Sequence, residues 1–160
     1  MTTATMTLLI GLPGAGKTTI AKRLEAERSA IRLTPDEWMG PLFDANEHDG
    51  KRWVLESELL WGVAARALTL GVDAILDYGC WSPGERELFR TRTQDLGARA
   101  ELVVLDPPLD VLWERLDARN TSTPTGTFRI TRSELESYNA RFQRPTPTEL
   151  ARYDSYAQLT

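Results

Sequence analysis

Short apolar runs alternate along this chain with longer segments in which apolar residues recur every three or four positions. The runs are typical of buried strands and cover residues 6–10, 30–33, 72–76 and 101–105. The longer segments predict helices over residues 17–28, 52–70, 85–96, 109–118 and 131–142. A last edge strand is predicted over residues 153–159.

This alternation of strands and helices predicts the fold class. Helical crossovers between strands favour a parallel sheet with helices on both faces. Gly71 and Gly97 stand where a glycine commonly ends a helix. We therefore expect a single three-layer α/β domain over residues 1–160, with about five parallel strands and a ligand site outside their carboxyl ends.

The first predicted strand runs directly into a glycine-rich loop. Residues 11–18 read GLPGAGKT and match G-x-x-x-x-G-K-[ST], with a predicted helix behind them. The glycines let backbone amides approach phosphate, Lys17 reaches the β and γ phosphates, and the Thr18 hydroxyl can bind Mg²⁺. The predicted nucleotide-binding residues of this loop are Gly11, Leu12, Pro13, Gly14, Ala15, Gly16, Lys17, Thr18 and Thr19.

The amino-acid composition narrows the range of possible binding partners and metal sites. The net charge of −4 gives no general attraction to polyanions, which disfavours a nucleic-acid partner while leaving a local basic patch open. Cys80 and His48 are the only residues of their kinds, so cysteine- or histidine-based metal sites are excluded. No apolar stretch is long enough to span a membrane and the N-terminal region has no basic signal, so we expect a cytoplasmic protein.

A polar stretch, NTSTPTGT at residues 120–127, separates the helix that carries Arg119 from residues 128–130. Its composition is typical of a loop, and we expect a small lid over roughly residues 119–132. Thr131 or Ser133 is available to cap the helix that follows.

With GLPGAGKT, TPDEW, ILDYG and LWERLDARN before the polar stretch, the chain resembles the small P-loop kinases. The most similar group is that of the AAA-like ATP-binding proteins, related to chloramphenicol phosphotransferase, zeta toxins and the kinase part of polynucleotide kinase. The likeness covers roughly residues 5–142. It implies a P-loop kinase fold and transfer of the γ-phosphoryl group of ATP to a hydroxyl, with Mg²⁺ as cofactor.

The resemblance assigns two carboxylates. Asp36, after the second strand, matches the family's general base, which takes a proton from the acceptor hydroxyl. Its alternative role is to cap a helix that begins at Glu37. Asp77, after the third strand, would hold Mg²⁺ through a water together with Thr18. Its alternative is an acid at a strand end without a metal role.

The resemblance also gives roles to arginines around the lid. Arg119 would clamp the β and γ phosphates, Arg115 would lie against adenine or phosphate, and Arg129 is a further candidate as the chain returns from the lid. Four-residue spacing by itself indicates only that Arg115 and Arg119 share a helix face, so solvated surface charge stays open.

An acceptor pocket is expected between the segments that follow the second and third strands. The substrate-binding residues predicted there are Asp36, Trp38, Met39, Tyr78 and Trp81, with Phe43 and Cys80 beside them. Core or lid packing is the alternative for the aromatic residues. We expect Cys80 to be a packed thiol, and Trp53, Trp61 and Trp113 to belong to the core.

Three functions fit these residues. The first is an ATP- and Mg²⁺-dependent kinase acting on a hydroxyl of a nucleoside, sugar or antibiotic. The second is a polynucleotide 5′-hydroxyl kinase, which needs a basic channel. The third is a nucleotide-binding regulatory ATPase without a small-molecule acceptor. The sequence leaves open the acceptor, the choice between ATP and GTP, and the oligomeric state.

Overall fold

The computed structural model describes residues 3–122 and 129–160. One sheet of five parallel strands runs through it in the order β2-β3-β1-β4-β5. The strands are β1 (Thr5–Gly11), β2 (Ile31–Leu33), β3 (Ala74–Gly79), β4 (Arg99–Leu105) and β5 (Ser155–Leu159). The predicted three-layer α/β class and strand number are confirmed, whereas the single-domain assignment stays a prediction.

Helices connect the strands. They are α1 (Lys17–Arg28), α2 (Asp36–Phe43), α3 (Lys51–Val54), α4 (Trp61–Thr69), α5 (Pro83–Asp95), α6 (Leu109–Ser122), α7 (Arg132–Arg141) and α8 (Pro147–Leu150). A 3₁₀ turn covers His48–Gly50, and a π-helical segment covers Leu55–Leu60. No helix in the described part of the chain is long and apolar enough to cross a membrane.

The core lies along the two central strands. β1 and β3 are buried along nearly their whole length, which is the expected state of parallel strands covered by helices on both faces. β5 pairs only with β4 and is mostly exposed, which confirms the predicted edge strand. The hydrophobic runs therefore mark the centre of the sheet, and the weaker pattern marks its edge.

Strand order places the ligand site. β1 pairs with β3 on one side and with β4 on the other, so the order in which the strands are added to the sheet reverses at β1. In open α/β sheets the crevice at such a reversal, outside the carboxyl ends of the strands, is where ligands bind. The glycine-rich loop leaves β1 at this point.

Several local predictions are confirmed by the ends of helices. Gly71 and Gly97 have φ angles of +82° and +76° and follow α4 and α5. Thr131 caps α7 in a reciprocal capping box with Glu134, as one of the two predicted candidates. One boundary differs, because Asp77 lies within β3 rather than after it.

The predicted helix over residues 52–70 is interrupted by the π-helical segment. There the Tyr78 hydroxyl donates a 2.9 Å hydrogen bond to the backbone oxygen of Glu56, and the Ser57 hydroxyl donates to the backbone oxygen of Trp53 at 2.6 Å. A wider turn rotates the following residues relative to an ideal helix, which spacing alone does not reveal. Glu56 lies within this segment and is only 5% exposed.

Candidate active site

The glycine-rich loop presents the N-terminus of α1 outside the sheet. Gly16 caps α1 with a φ of +94°, and within the described residues no side chain makes a hydrogen bond at this cap. The first amides of a helix lack intrahelical partners and lie at the positive end of the helix dipole. The loop and α1 therefore form an anion site suited to phosphate.

Two glycines of the loop are required by packing. A Cβ atom at Gly11 would lie 2.6 Å from the backbone oxygen of Leu105, and one at Gly14 would lie 3.0 Å from Cγ of Leu116. Gly14 also has a φ of +83°. The loop lies so close to β4 and α6 that these two positions have no room for a larger side chain, which the motif alone does not reveal.

We expect Gly14→Ala to lower the free energy of unfolding by roughly 2 to 4 kcal/mol, because alanine is strained at this φ and crowds α6. Chemical denaturation of both proteins measures the change. Gly62→Ala is the matched control: no neighbour lies within 4 Å of its Cβ position, so roughly 0.5 to 1 kcal/mol of stabilisation is expected in α4. Equal effects of the two substitutions would contradict this account of the loop.

Lys17 lies inside the loop. Its Nζ donates to the backbone oxygen of Leu12 at 3.3 Å. Desolvation lowers the pKa of Lys17, while the carboxylates of Asp77 and Asp36 raise it and the charge of Arg119 lowers it. These four charged groups therefore act on one small region, as the predicted phosphate site requires.

Asp77 is held beside the loop. Its Oδ2 atom accepts hydrogen bonds from Thr18 Oγ1 at 2.7 Å and from Thr34 Oγ1 at 3.1 Å, and the residue is 6% exposed. Oxygen donors at the end of a phosphate loop suit a hard cation such as Mg²⁺. The residues fit the predicted metal site, and their direct contact supports the assignment of Asp77 together with Thr18.

A cleft of about 420 Å³ lies beside the same loop. Arg115 stands at it and donates from Nη1 to the backbone oxygens of Gly14 and Ala15 at 3.3 and 3.4 Å. The apolar residues that line the cleft include Ile20, Leu105, Pro107 and Leu159. The arrangement suits a flat base beside its phosphates, and sequence reasoning missed Pro107 and Leu159.

The lid arginines differ in position. Arg119 lies on α6 and acts electrostatically on Lys17. Arg129 is exposed, and the neighbouring Ile130 is tied to Asn120 by hydrogen bonds of 2.8 and 3.3 Å. Residues 123–128, which make up the centre of the predicted lid, lie outside the described residues. The roles of Arg119 and Arg129 stay predictions.

Asp36 is the first residue of α2, and its side chain is 77% exposed. In the part of the chain that the structure describes, no side chain makes a hydrogen bond at this helix cap, which does not support a capping role for Asp36. Instead Oδ1 of Asp36 lies 2.8 Å from Nη2 of Arg52, which also pairs with Glu47. Sequence reasoning missed Arg52, because it comes from a separate helix.

Of the residues predicted to line the acceptor pocket, Trp38 and Trp81 are at least partly exposed, whereas Met39 and Tyr78 are buried. Trp38 is 38% exposed, and the Trp81 indole donates to the backbone oxygen of Gly11 at 3.3 Å. Met39 is 3% exposed. Burial raises the pKa of Tyr78, whose hydroxyl donates a hydrogen bond to the backbone oxygen of Glu56. Met39 and Tyr78 therefore serve as packing behind the site rather than as an open surface.

The structure also shows the surroundings of Cys80 and of two tryptophans that were predicted to lie in the core, Trp53 and Trp61. Cys80 is 4% exposed, and burial raises the pKa of its thiol well above the usual value, in agreement with a packed thiol. Trp61 packs against Phe89, with ring centroids 6.0 Å apart. Trp53 also contacts Phe89 but is 40% exposed, so its assignment to the core is wrong.

Glu56 is a buried acid beside these residues. Burial raises the pKa of its carboxyl to about 8, opposed mainly by the charge of Arg52. Between pH 4.5 and 8 the unfolded carboxyl loses its proton while the folded one keeps it. This group therefore destabilises the fold progressively as the pH rises through that window.

We expect the free energy of unfolding to fall by up to about 1.4 kcal/mol per pH unit from this group between pH 5 and 8. Urea denaturation at several pH values measures the slope. Glu56→Gln removes this contribution, whereas Glu58→Gln, at an exposed neighbour, leaves it unchanged. Parallel pH profiles for the wild type and Glu56→Gln would contradict the burial of an acid at this position.

A parallel sheet in this order, with a phosphate loop after β1 and a threonine-bound aspartate on β3, defines a P-loop protein of the kinase type. The chain belongs to the AAA_33 family of AAA domains, whose model matches residues 6–145. No curated protein matches the sequence.

Solved structures show the same fold. Kti12 of Chaetomium thermophilum, in complex with ADP-AlF3, superposes with a TM-score of 0.74 at 17% identity, over 97% of this chain and 88% of that one. APS kinase CysC of Mycobacterium tuberculosis, in complex with AMPPNP and APS, gives 0.67 at 20% identity, over 99% and 90%. A gluconokinase of Sinorhizobium meliloti 1021 gives 0.63 at 16% identity, over 100% and 85%.

Proposed function

We propose that this protein is an ATP- and Mg²⁺-dependent kinase that transfers the γ-phosphoryl group to a hydroxyl of a small molecule. The observation that carries the proposal is the position of Asp36. Its exposed carboxylate stands outside the phosphate loop and acts electrostatically on Lys17. A base facing the phosphate site is what a kinase requires and a simple nucleotide switch does not.

The residues divide the work of phosphoryl transfer. The amides at the start of α1 and the ammonium group of Lys17 hold the β and γ phosphates, and Arg119 adds positive charge on the same side. Asp36 accepts the proton of the acceptor hydroxyl, and Arg52 orients the carboxylate through their 2.8 Å contact. Thr18 and Asp77 would hold Mg²⁺, which would neutralise charge on the phosphates.

The cleft beside Arg115 supports nucleotide binding at the other end of the site. Apolar residues of α1, β4 and β5 line this cleft and can pack against a base, while Arg115 contacts the phosphate loop. Asp36 follows β2, whereas Leu105 and Leu159 of the cleft belong to β4 and β5, so acceptor and nucleotide would lie on opposite sides of β1. This separation matches a transfer in line between two oxygens.

The proposal is tested by incubating the protein with ATP, Mg²⁺ and a panel of nucleosides, sugars, hydroxylated antibiotics and 5′-hydroxyl oligonucleotides. Mass spectrometry then identifies any acceptor that gains a phosphoryl group. A phosphorylated small molecule supports the proposal. Phosphorylation of oligonucleotides alone would favour the polynucleotide kinase, and ADP without any product would favour the regulatory ATPase.

A further inference from the structure

The acceptor side of the site carries more carboxylates than cations. Glu47 and Asp36 both pair with Arg52, which is a cation shared between two acids. Glu56 and Glu85 add two further carboxylates close to this pair. The Glu85 carboxylate accepts a hydrogen bond from a neutral group, the Ser82 hydroxyl, at 2.9 Å. While Glu56 holds its proton, the three carboxylates of Asp36, Glu47 and Glu85 lie near two cations, Arg52 and Lys17, which leaves a small local excess of negative charge.

Glu56 is the unusual member of this group. It is 5% exposed, yet across residues 3–122 and 129–160 no hydrogen bond to its carboxyl is found. The charges that act on it most strongly are those of Arg52, Glu85, Asp36 and Glu47, which come from four separate segments. Tyr78 and Cys80 of the adjoining strand and loop also face it. Its oxygens are not fully enclosed, so this mostly buried carboxyl remains open to a ligand.

A metal ion does not explain this cluster. In the described part of the chain no three His, Cys, Asp or Glu side chains are arranged to hold one. Arg52 is already engaged by two other acids. A cation carried by the acceptor itself is a partner that satisfies both the charge excess and the buried carboxyl.

We propose that the acceptor is an amine-bearing alcohol, whose ammonium group binds Glu56 while its hydroxyl faces Asp36. The proposal rests on the proposed kinase function and adds the class of substrate. Arg52 connects the two acids, because its Nη2 lies 2.8 Å from Asp36 and its charge acts on Glu56 more strongly than any other, so one small molecule can reach both. The same charge excess repels acceptors that carry carboxylate, sulfate or phosphate groups.

Binding of the ammonium group changes the protonation of Glu56. Burial keeps this carboxyl largely protonated at pH 7, since its pKa lies at about 8. A bound cation favours the ionised form, so the carboxyl releases its proton on binding. Because an aliphatic amine remains protonated at this pH, proton release reports on Glu56 itself.

The test uses matched sets of acceptors on several scaffolds: amino sugars, aminoglycosides and short amino alcohols, each with its N-acetyl derivative and a carboxylate-bearing analogue. We expect phosphorylation of amine-bearing members and weak or no activity on the matched neutral and anionic ones. Glu56→Gln should raise the KM for the amine by roughly ten- to a hundredfold and leave the KM for ATP unchanged. Glu58→Gln is the control at an exposed neighbour.

Calorimetry in buffers of different ionisation enthalpy provides a second readout, with the best amine as probe. Wild-type protein should release close to one proton per bound amine at pH 7, and Glu56→Gln should release none. Preference for neutral or anionic acceptors, or equal proton release by both proteins, overturns the amine proposal while leaving the kinase intact. ATP hydrolysis without phosphorylation of any acceptor overturns both proposals together.

Discussion

Lys17→Ala is expected to lower phosphoryl transfer by roughly a hundred- to a thousandfold. Lys17 is the cation inside the loop that also carries the free amides of α1, so its removal leaves the γ-phosphate with less charge stabilisation. Its own hydrogen bond is a 3.3 Å contact with a backbone oxygen, and desolvation already disfavours its charge. The fold should therefore persist without it.

Initial rates of product formation and the thermal shift caused by ATP measure this effect. Lys22→Ala is the control, because Lys22 lies on the same helix but is exposed. The account predicts loss of both rate and ATP-induced stabilisation in Lys17→Ala and neither loss in Lys22→Ala. Normal turnover by Lys17→Ala would show that the phosphate loop does not support the reaction.

Asp36→Asn is expected to lower kcat by roughly a hundred- to ten-thousandfold while ATP binding is retained. The amide keeps the size of the side chain but cannot accept a proton from the acceptor. It also weakens the contact with Arg52, which still has Glu47 as a partner. Since Asp36 is exposed and does not cap α2, little loss of stability is expected.

The decisive comparison is between kcat and the KM for ATP. A base role predicts a large fall in kcat with an unchanged KM, and Asp44→Asn at the far end of α2 should change neither. Full turnover by Asp36→Asn would refute the assignment of the base. A rise in the KM for ATP alone would instead indicate that Asp36 helps to bind the nucleotide.

The features of the site that follow local rules could be predicted from the sequence. A phosphate loop is built from contiguous residues, and the strand before it and helix after it have clear periodicity. The capping box at Thr131 and the glycines after α4 and α5 are local in the same way. Such signals depend on few neighbours, so tertiary packing does not override them.

Other features depend on contacts between distant segments. The pairing of Asp36 with Arg52 joins two helices that no motif connects. Leu159 reaches the nucleotide cleft only because β5 adds to the edge of the sheet beside β4. Periodicity did not reveal these contacts, because it reports which face of an element is buried and not what that face meets.

The π-helical segment shows the same limit in one element. Residues 52–70 satisfy helical spacing closely enough that one continuous helix is the natural prediction. Within the wider turn, the backbone oxygen of Glu56 accepts a hydrogen bond from the hydroxyl of Tyr78, which lies on β3. Glu56 lies within that turn and was not among the predicted site residues, because a buried acid inside a helical pattern carries no signal of a site in the sequence.

In the proposed reaction the γ-phosphoryl group of ATP passes to an alcohol. This transfer is tested directly with ATP that carries heavy oxygen in the γ-phosphoryl group. The labelled ATP is incubated with the protein, Mg²⁺ and the pooled acceptors, and mass spectrometry measures the products. The account predicts the labelled phosphoryl group on an acceptor, with its appearance abolished in Asp36→Asn. Label found only in inorganic phosphate, at the same rate with and without acceptors, would contradict the account and identify a nucleotide hydrolase.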